Sequence, residues 1–202
     1  MAQQAFSPDQ VSWITAQFNG TTYQPNAMDV QHEPLYDTLI TAAGANIVNL
    51  SQFFTSPAGK TLAQTNVTTA KKLDAPEAFT VMGINFRWLE NILLADLINI
   101  LNNFALEFWI GQKYYNRAPL WFYASGGGIA GLSNVSSTSA YTNGWPGKAE
   151  RHMLAINIVI DNQASFFGQL VGTQTALTAT GSGGTGATLI MLLDGLHARG
   201  VQ

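Results

Sequence analysis

Six short apolar segments constrain the fold of this chain more than any other feature: "AFTVMGINFRW" (78–88), "FALEFWIGQKYY" (104–115), "LWFYA" (120–124), "HMLAINIVID" (152–161), "SFFGQLVG" (165–172) and "TLIMLLDGLHA" (188–198). Each is rich in β-branched and aromatic residues, partly alternates, and is set off by Gly, Pro, Asn or Thr, the composition of strands between turns. They predict a β-rich domain. Residues 88–103 break the pattern, because Leu89, Ile92, Leu93, Asp96, Leu97, Ile100 and Leu101 recur at spacings of three and four. That period predicts an amphipathic helix inserted between strands, with its stripe turned to the core rather than offered as a recruitment surface.

The first 35 residues are polar and irregular except for one helix start. Ser7, Pro8 and Gln10 supply an N-cap, a proline at the first helical position and a capping-box partner, ahead of Val11, Ile14 and Phe18. A short helix over about residues 8–18 is predicted, either packed on its own domain or reaching a neighbouring copy. Two stretches without periodicity, 125–150 and 171–187, are built from Gly, Ser, Thr and Asn and read as loops. No repeat and no linker divides the chain. We therefore expect an N-terminal arm over 1–35 and a single domain over 36–202.

Composition matters most for the surface. Of the 202 residues, 47% are hydrophobic and 10% charged, against roughly 25% charged in an ordinary soluble domain. Either copies or partners cover much of the exterior, since charge depletion marks interface cores, or Ser, Thr, Asn and Gln solvate it. Net charge is −3, and no basic run exceeds Lys71–Lys72, which argues against a nucleic-acid footprint. A local basic patch of Lys71, Lys72 and Arg87 is the one arrangement that would restore it. The start, MAQQAFSPDQ, has neither a basic nor an apolar region of the secretory kind. The greasiest stretch, "ILLADLINIL", falls short of the roughly 20 residues that span a bilayer.

Gly126, Gly128 and Gly131 spell G-x-G-x-x-G. A dinucleotide site needs those glycines to open a helix in a βαβ unit, whereas here Leu-Ser-Asn-Val-Ser-Ser-Thr-Ser follows, a poor helix former. A mobile or partner-contacting loop fits better. The chain has no cysteine, and its three histidines, His32, His152 and His197, lie far apart in sequence. No G-x-S-x-G elbow or paired carboxylates announce hydrolysis. We expect no enzyme activity, no catalytic residues, no metal and no cofactor. Trp109, Tyr114, Tyr115, Trp121, Phe122 and Tyr123 crowd into fifteen residues. Alternation places some of them on an outer face, where they serve a subunit interface or, in the rival reading, sugar stacking.

The fragments "FFTSPAGKTLAQTN" (53–66), the strand around Phe79–Phe86, "LEFWIGQKYYNRAPL" (106–120), "NGWPGKAERHMLAINIVID" (143–161) and "LIMLLDGLHARGVQ" (189–202) together resemble the jelly-roll major capsid (coat) proteins of tailless icosahedral bacterial viruses. The resemblance rests on element order: a Gly-Lys/Thr-Asn turn, strands carrying a helical insertion, a long polar loop, then strands that run to the end. It implies a mainly β fold, an eight-stranded antiparallel jelly-roll sandwich with one or two short helices. It further implies a structural role in a virion made in the host cytoplasm, as a subunit that self-assembles into an icosahedral shell. The implied partners are copies of itself, other capsid or penton proteins, and an inner membrane or genome on one face, with no small-molecule substrate. For contacts we expect Phe6, Trp13 and Phe18 of the N-terminal segment, Trp145 and Pro146 of the long loop, and Arg117 and Arg199 as exposed polar anchors. Two other readings stay open. One is a carbohydrate-binding or adhesive β-sandwich module of a phage tail or cell surface, with a groove lined by tryptophans. The other is a cupin-like enzyme, which needs a metal cluster.

Overall fold

The computed structural model describes residues 12, 28–88, 92–123, 129–132, 140–143, 152–184 and 186–200. The protein is mainly β. In chain order the strands are β1 (Met28–His32), β2 (Leu35–Thr41), β3 (Asn46–Ile47), β4 (Ser51–Phe53) and β5 (Ala78–Trp88). Helix α1 (Leu94–Asn103) follows, then β6 (Phe104–Ile110), β7 (Lys113–Pro119), β8 (Ile129–Leu132), β9 (Ala140–Asn143), β10 (Met153–Ile160), β11 (Phe166–Gly172), β12 (Thr175–Ala176) and β13 (Ala187–Gly200).

Two antiparallel sheets carry the architecture. In the first, β1 and β2 both lie along β13, which pairs with β5, which pairs with β10. In the second the order is β4, β11, β6, β7. Among the strands of these sheets that follow β1, the first (β2) pairs with the last (β13) and the second (β4) with the one before it (β11). The same nesting pairs β5 with β10 and β6 with β7. Such pairing is what a long hairpin gives when it is folded over onto itself, and it makes a sandwich with one shared core.

That core follows from alternation. Phe104, Leu106 and Phe108 of β6 and Phe166 and Leu170 of β11 turn inward to meet β5 and β13. The rings of Phe53 and Phe86 meet edge to face at 5.4 Å, joining β4 of one sheet to β5 of the other. Each such buried side chain contributes about 1.5–3 kcal/mol. Along β5 the fully buried set steps from Phe79 and Val81 to Ile84, Phe86 and Trp88. The step falls at a bulge in β5: the adjacent residues Asp194 and Gly195 of β13 stand opposite Gly83 and Val81, which leaves Met82 as an extra residue that shifts the phase of the pleat. A side chain at Gly195 would run into the Thr80 carbonyl.

Several expectations change. The helix expected over 88–103 is described from Leu94 to Asn103, and its buried residues are Asp96, Leu97, Ile100 and Leu101. "LWFYA" is not a strand: Leu120–Tyr123 form a 3-10 turn after Pro119, with Leu120 and Tyr123 buried and Trp121 and Phe122 exposed, a period of three rather than two. The stretch 125–150, read as loop, contains the paired strands β8 and β9, and 171–187 contains β12, which pairs with β3. Gly131 lies within β8, while Gly126 and Gly128 fall outside the described residues. The sheet takes in Met28–His32, inside the stretch expected as an arm. The predicted helix over 8–18 lies outside the described residues except for Ser12, which is helical. No helix among the described residues is long and apolar enough to cross a membrane.

Candidate functional site

One organised surface is the outer face of the second sheet. Residues that alternate with the core positions of β6 and β11 point outward there and fall into two cross-strand rows. One row is polar. The Gln52 amide donates to Gln169 Oε1 at 3.3 Å, and Gln169 Nε2 donates to Glu107 Oε2 at 2.9 Å. Arg117 on β7 closes the row by pairing with Glu107 Oε1. Trp109 Nε1 also donates to Glu107 at 2.9 Å. Burial raises the Glu107 carboxyl, and the hydrogen bonds from Gln169, Trp109 and Arg117, with the Arg117 charge, outweigh it and leave it below the ordinary range. Its oxygens are engaged by three donors, which makes Glu107 the anchor of the row.

The second row is aromatic. Trp109 and Phe167 lie parallel at 6.1 Å, and Trp109 meets Tyr114 edge to face at 5.7 Å. Cations cap both ends: Lys71 Nζ stands 4.7 Å from the Phe167 centroid and the Arg117 guanidinium 4.6 Å from that of Tyr114. The rings of Trp109 and Phe167 are thus stacked together, and cations stand over those of Phe167 and Tyr114.

Arg117 and Arg199, expected as exposed anchors, have side chains that are 54% and 37% exposed and that also pair within the chain. Arg199 donates to Gln31 Oε1 at 2.6 Å and pairs with Glu33 at 3.1 Å, tying β13 to β1 and the turn after it. Phe6, Trp13, Phe18, Trp145 and Pro146 lie outside the described residues. Lys71, Lys72 and Arg87 do not form one patch. Lys71 stands over Phe167 of the second sheet, while Arg87 lies on β5 of the first.

A second polar cluster gathers around β1 and β13. His32 Nε2 lies 2.8 Å from Asp194 Oδ1. The imidazole of His197 is buried, with Nδ1 3.7 Å from Glu33 and Nε2 3.4 Å from Glu77. The fold thus brings two of the three distant histidines onto neighbouring strands, each beside its own carboxylates. Among the described residues no three such side chains gather as metal ligands would. Beside His197 a cavity of about 20 Å³, lined by Asn66, Thr68, Lys72, Asp74 and Glu77 among others, has room for a water and no larger ligand.

Exposed apolar side chains lie in several places. Trp121 and Phe122 form an edge-to-face pair at 6.4 Å, and Phe122 packs on His152 at 4.2 Å. Met153 and Ile156 project from β10, Tyr114 and Tyr115 from β7, Val48 and Leu50 from the turn before β4, Ile40 from β2 and Ile98 from α1. Aromatic crowding in the sequence anticipates Trp109, Tyr114, Tyr115 and Trp121. The partners Phe167, Gln169 and Lys71 carry no local signal, because pairing of β11 with β6 sets them there. No protein-family model matches the chain, and no curated protein matches it in sequence.

Proposed function

We propose that this chain is a structural coat subunit, a jelly-roll protein that assembles with copies of itself into a closed viral shell. Nested pairing of the strands, first with last and inward from there, supports the jelly-roll reading, because that fold is a double hairpin rolled into two facing sheets. The observation that carries the function is the spread of exposed apolar side chains over β2, α1, β7, the 3-10 turn and β10. A ligand-binding module concentrates such residues in one concave site. A shell subunit needs several separate contacts, each modest, that closure makes multivalent. A chain with 10% charged residues has the composition for that role.

The glycan-binding alternative requires open ring faces. On the second sheet the face of Phe167 is shared between Lys71 and Trp109. Trp88 is in the core and Trp121 stands away on the 3-10 turn, so the described tryptophans line no common groove. Particle mass by light scattering on a size-exclusion column, with electron microscopy of the same fractions, tests the proposal. Rings, sheets or shells are the expected result. A monomer of 21.8 kDa, unchanged by salt, pH or concentration, overturns it.

A further inference from the structure

A neutral imidazole has one N–H and one bare ring nitrogen, so it can donate to one carboxylate and not to two. His197 faces two. Its Nδ1 lies 3.7 Å from Glu33, in the turn after β1, and its Nε2 lies 3.4 Å from Glu77, just ahead of β5. Arg199 stands 3.1 Å from the same Glu33 oxygen. The His197 side chain is 8% exposed, and among the described residues neither ring nitrogen nor Glu33 Oε2 has an aligned hydrogen-bond partner in the protein. Buried polar atoms seldom stay so, because the hydration each one gives up is then not replaced.

The two sides of the ring differ. The cavity of about 20 Å³ beside His197 is lined by Glu77, Lys72, Asn66 and Thr68 among others, and Glu33 lies outside that lining. With the one ring proton directed to Glu33, the Nε2 lone pair and a Glu77 oxygen are two acceptors 3.4 Å apart, and they repel unless protons are brought to them. Burial pushes the ring's pKa below its ordinary value, so a second proton on the ring does not resolve the conflict at neutral pH. A water carries two protons, and roughly 10–15 Å³ of such space suffices for one. Its oxygen needs donors in turn. The lining supplies Lys72 and Asn66, whose Nδ2 gives one proton to the Pro34 carbonyl and keeps another. The charge of Lys72 also makes the cavity a poor seat for a metal cation.

We infer that the cavity binds a structural water that donates to His197 Nε2 and to Glu77, and thereby holds His197 as the neutral tautomer with its proton on Nδ1, toward Glu33. The water joins three parts of the chain: β13 through His197, the entry to β5 through Glu77, and the loop that carries Asn66 and Lys72. The site is internal to the subunit and does not rest on the coat reading.

Magic-angle-spinning NMR of the full chain with isotope-labelled histidine, at neutral pH, reads the tautomer whether or not the chain is assembled. There are three histidines. The signals lost in His197→Gln identify the ring, and His32→Gln and His152→Gln identify it by elimination if that variant does not fold. The expected spectrum has a protonated Nδ1, a bare Nε2 and magnetisation transfer to Nε2 from a slowly exchanging water. In a crystal structure that resolves buried waters, one is expected within hydrogen-bond distance of both His197 Nε2 and Glu77. A ring protonated at Nε2, or at both nitrogens, overturns the inference, as does a dry cavity in such a crystal structure.

Discussion

Two buried charged-type side chains illustrate opposite solutions at the residue scale. Glu107 is buried with three donors and stays ionised, because hydrogen bonds to a charged group together with the Arg117 charge outweigh desolvation. His197 is equally enclosed, but its ring nitrogens stand 3.4 and 3.7 Å from their carboxylates, beyond good hydrogen bonds. Burial lowers its pKa below the ordinary 6.5, Glu77 and Glu33 pull it back up, and the Arg199 charge adds to the lowering. Because the folded pKa is lower than the unfolded one, the unfolded chain binds more protons as pH falls below about 6.5. His197 therefore leaves stability intact at neutral and higher pH and removes some of it as pH falls from there toward its folded pKa. His152, also lowered by burial, acts in the same direction. Urea unfolding across that window is expected to give a midpoint that drops with acid in the wild type. The drop shrinks in His197→Gln, and a slope identical in both proteins removes His197 as a cause.

Elements were legible where burial follows local period and illegible where it depends on distant partners. Ala78–Trp88 matches its quoted segment residue for residue, and Met153–Ile160 and Phe166–Gly172 fall inside theirs, because β-branched and aromatic runs between turn residues have few other uses. β2 did not stand out. Its Asp37 and Thr38 are polar yet buried, since the Asp37 carboxylate accepts from the Phe54 N–H and from Lys60, both at 2.6 Å, contacts made 17 and 23 residues away. "LWFYA" has strand composition, but its burial follows a period of three rather than two. The paired rows on the second sheet and the His32–Asp194 contact, 162 residues apart in sequence, have no local trace. α1 combines both kinds of information. Asp96 falls in its apolar stripe by spacing, and the structure gives the reason: its carboxylate accepts from the Thr178 N–H at 3.1 Å and the Thr178 hydroxyl at 2.8 Å, pinning the helix to the segment between β12 and β13. Removing a buried acceptor leaves its donors unsatisfied. Asp96→Ala is expected to lose about 1–3 kcal/mol of unfolding free energy. Asp96→Asn, which keeps one acceptor oxygen, should lose less. Equal stability of all three forms in denaturant titrations would mean that Thr178 finds its partners elsewhere.

At the scale of the whole molecule, the balance of forces predicts how an assembly should respond to conditions. Net charge is −3, Arg117 and Arg199 are engaged within the subunit, and the exposed groups set apart on several elements are apolar. Contacts built from such groups are held by burial of apolar surface rather than by ion pairs. Screening, which weakens exposed charge pairs over a Debye length of about 8 Å at physiological salt, should then matter little. Apolar association weakens on cooling and strengthens with excluded salts such as sulfate. Light scattering should give a particle mass that is unchanged from low to high sodium chloride, rises with sulfate and falls on chilling, with recovery on warming. Dissociation by sodium chloride alone would mean that charged residues carry the contacts instead.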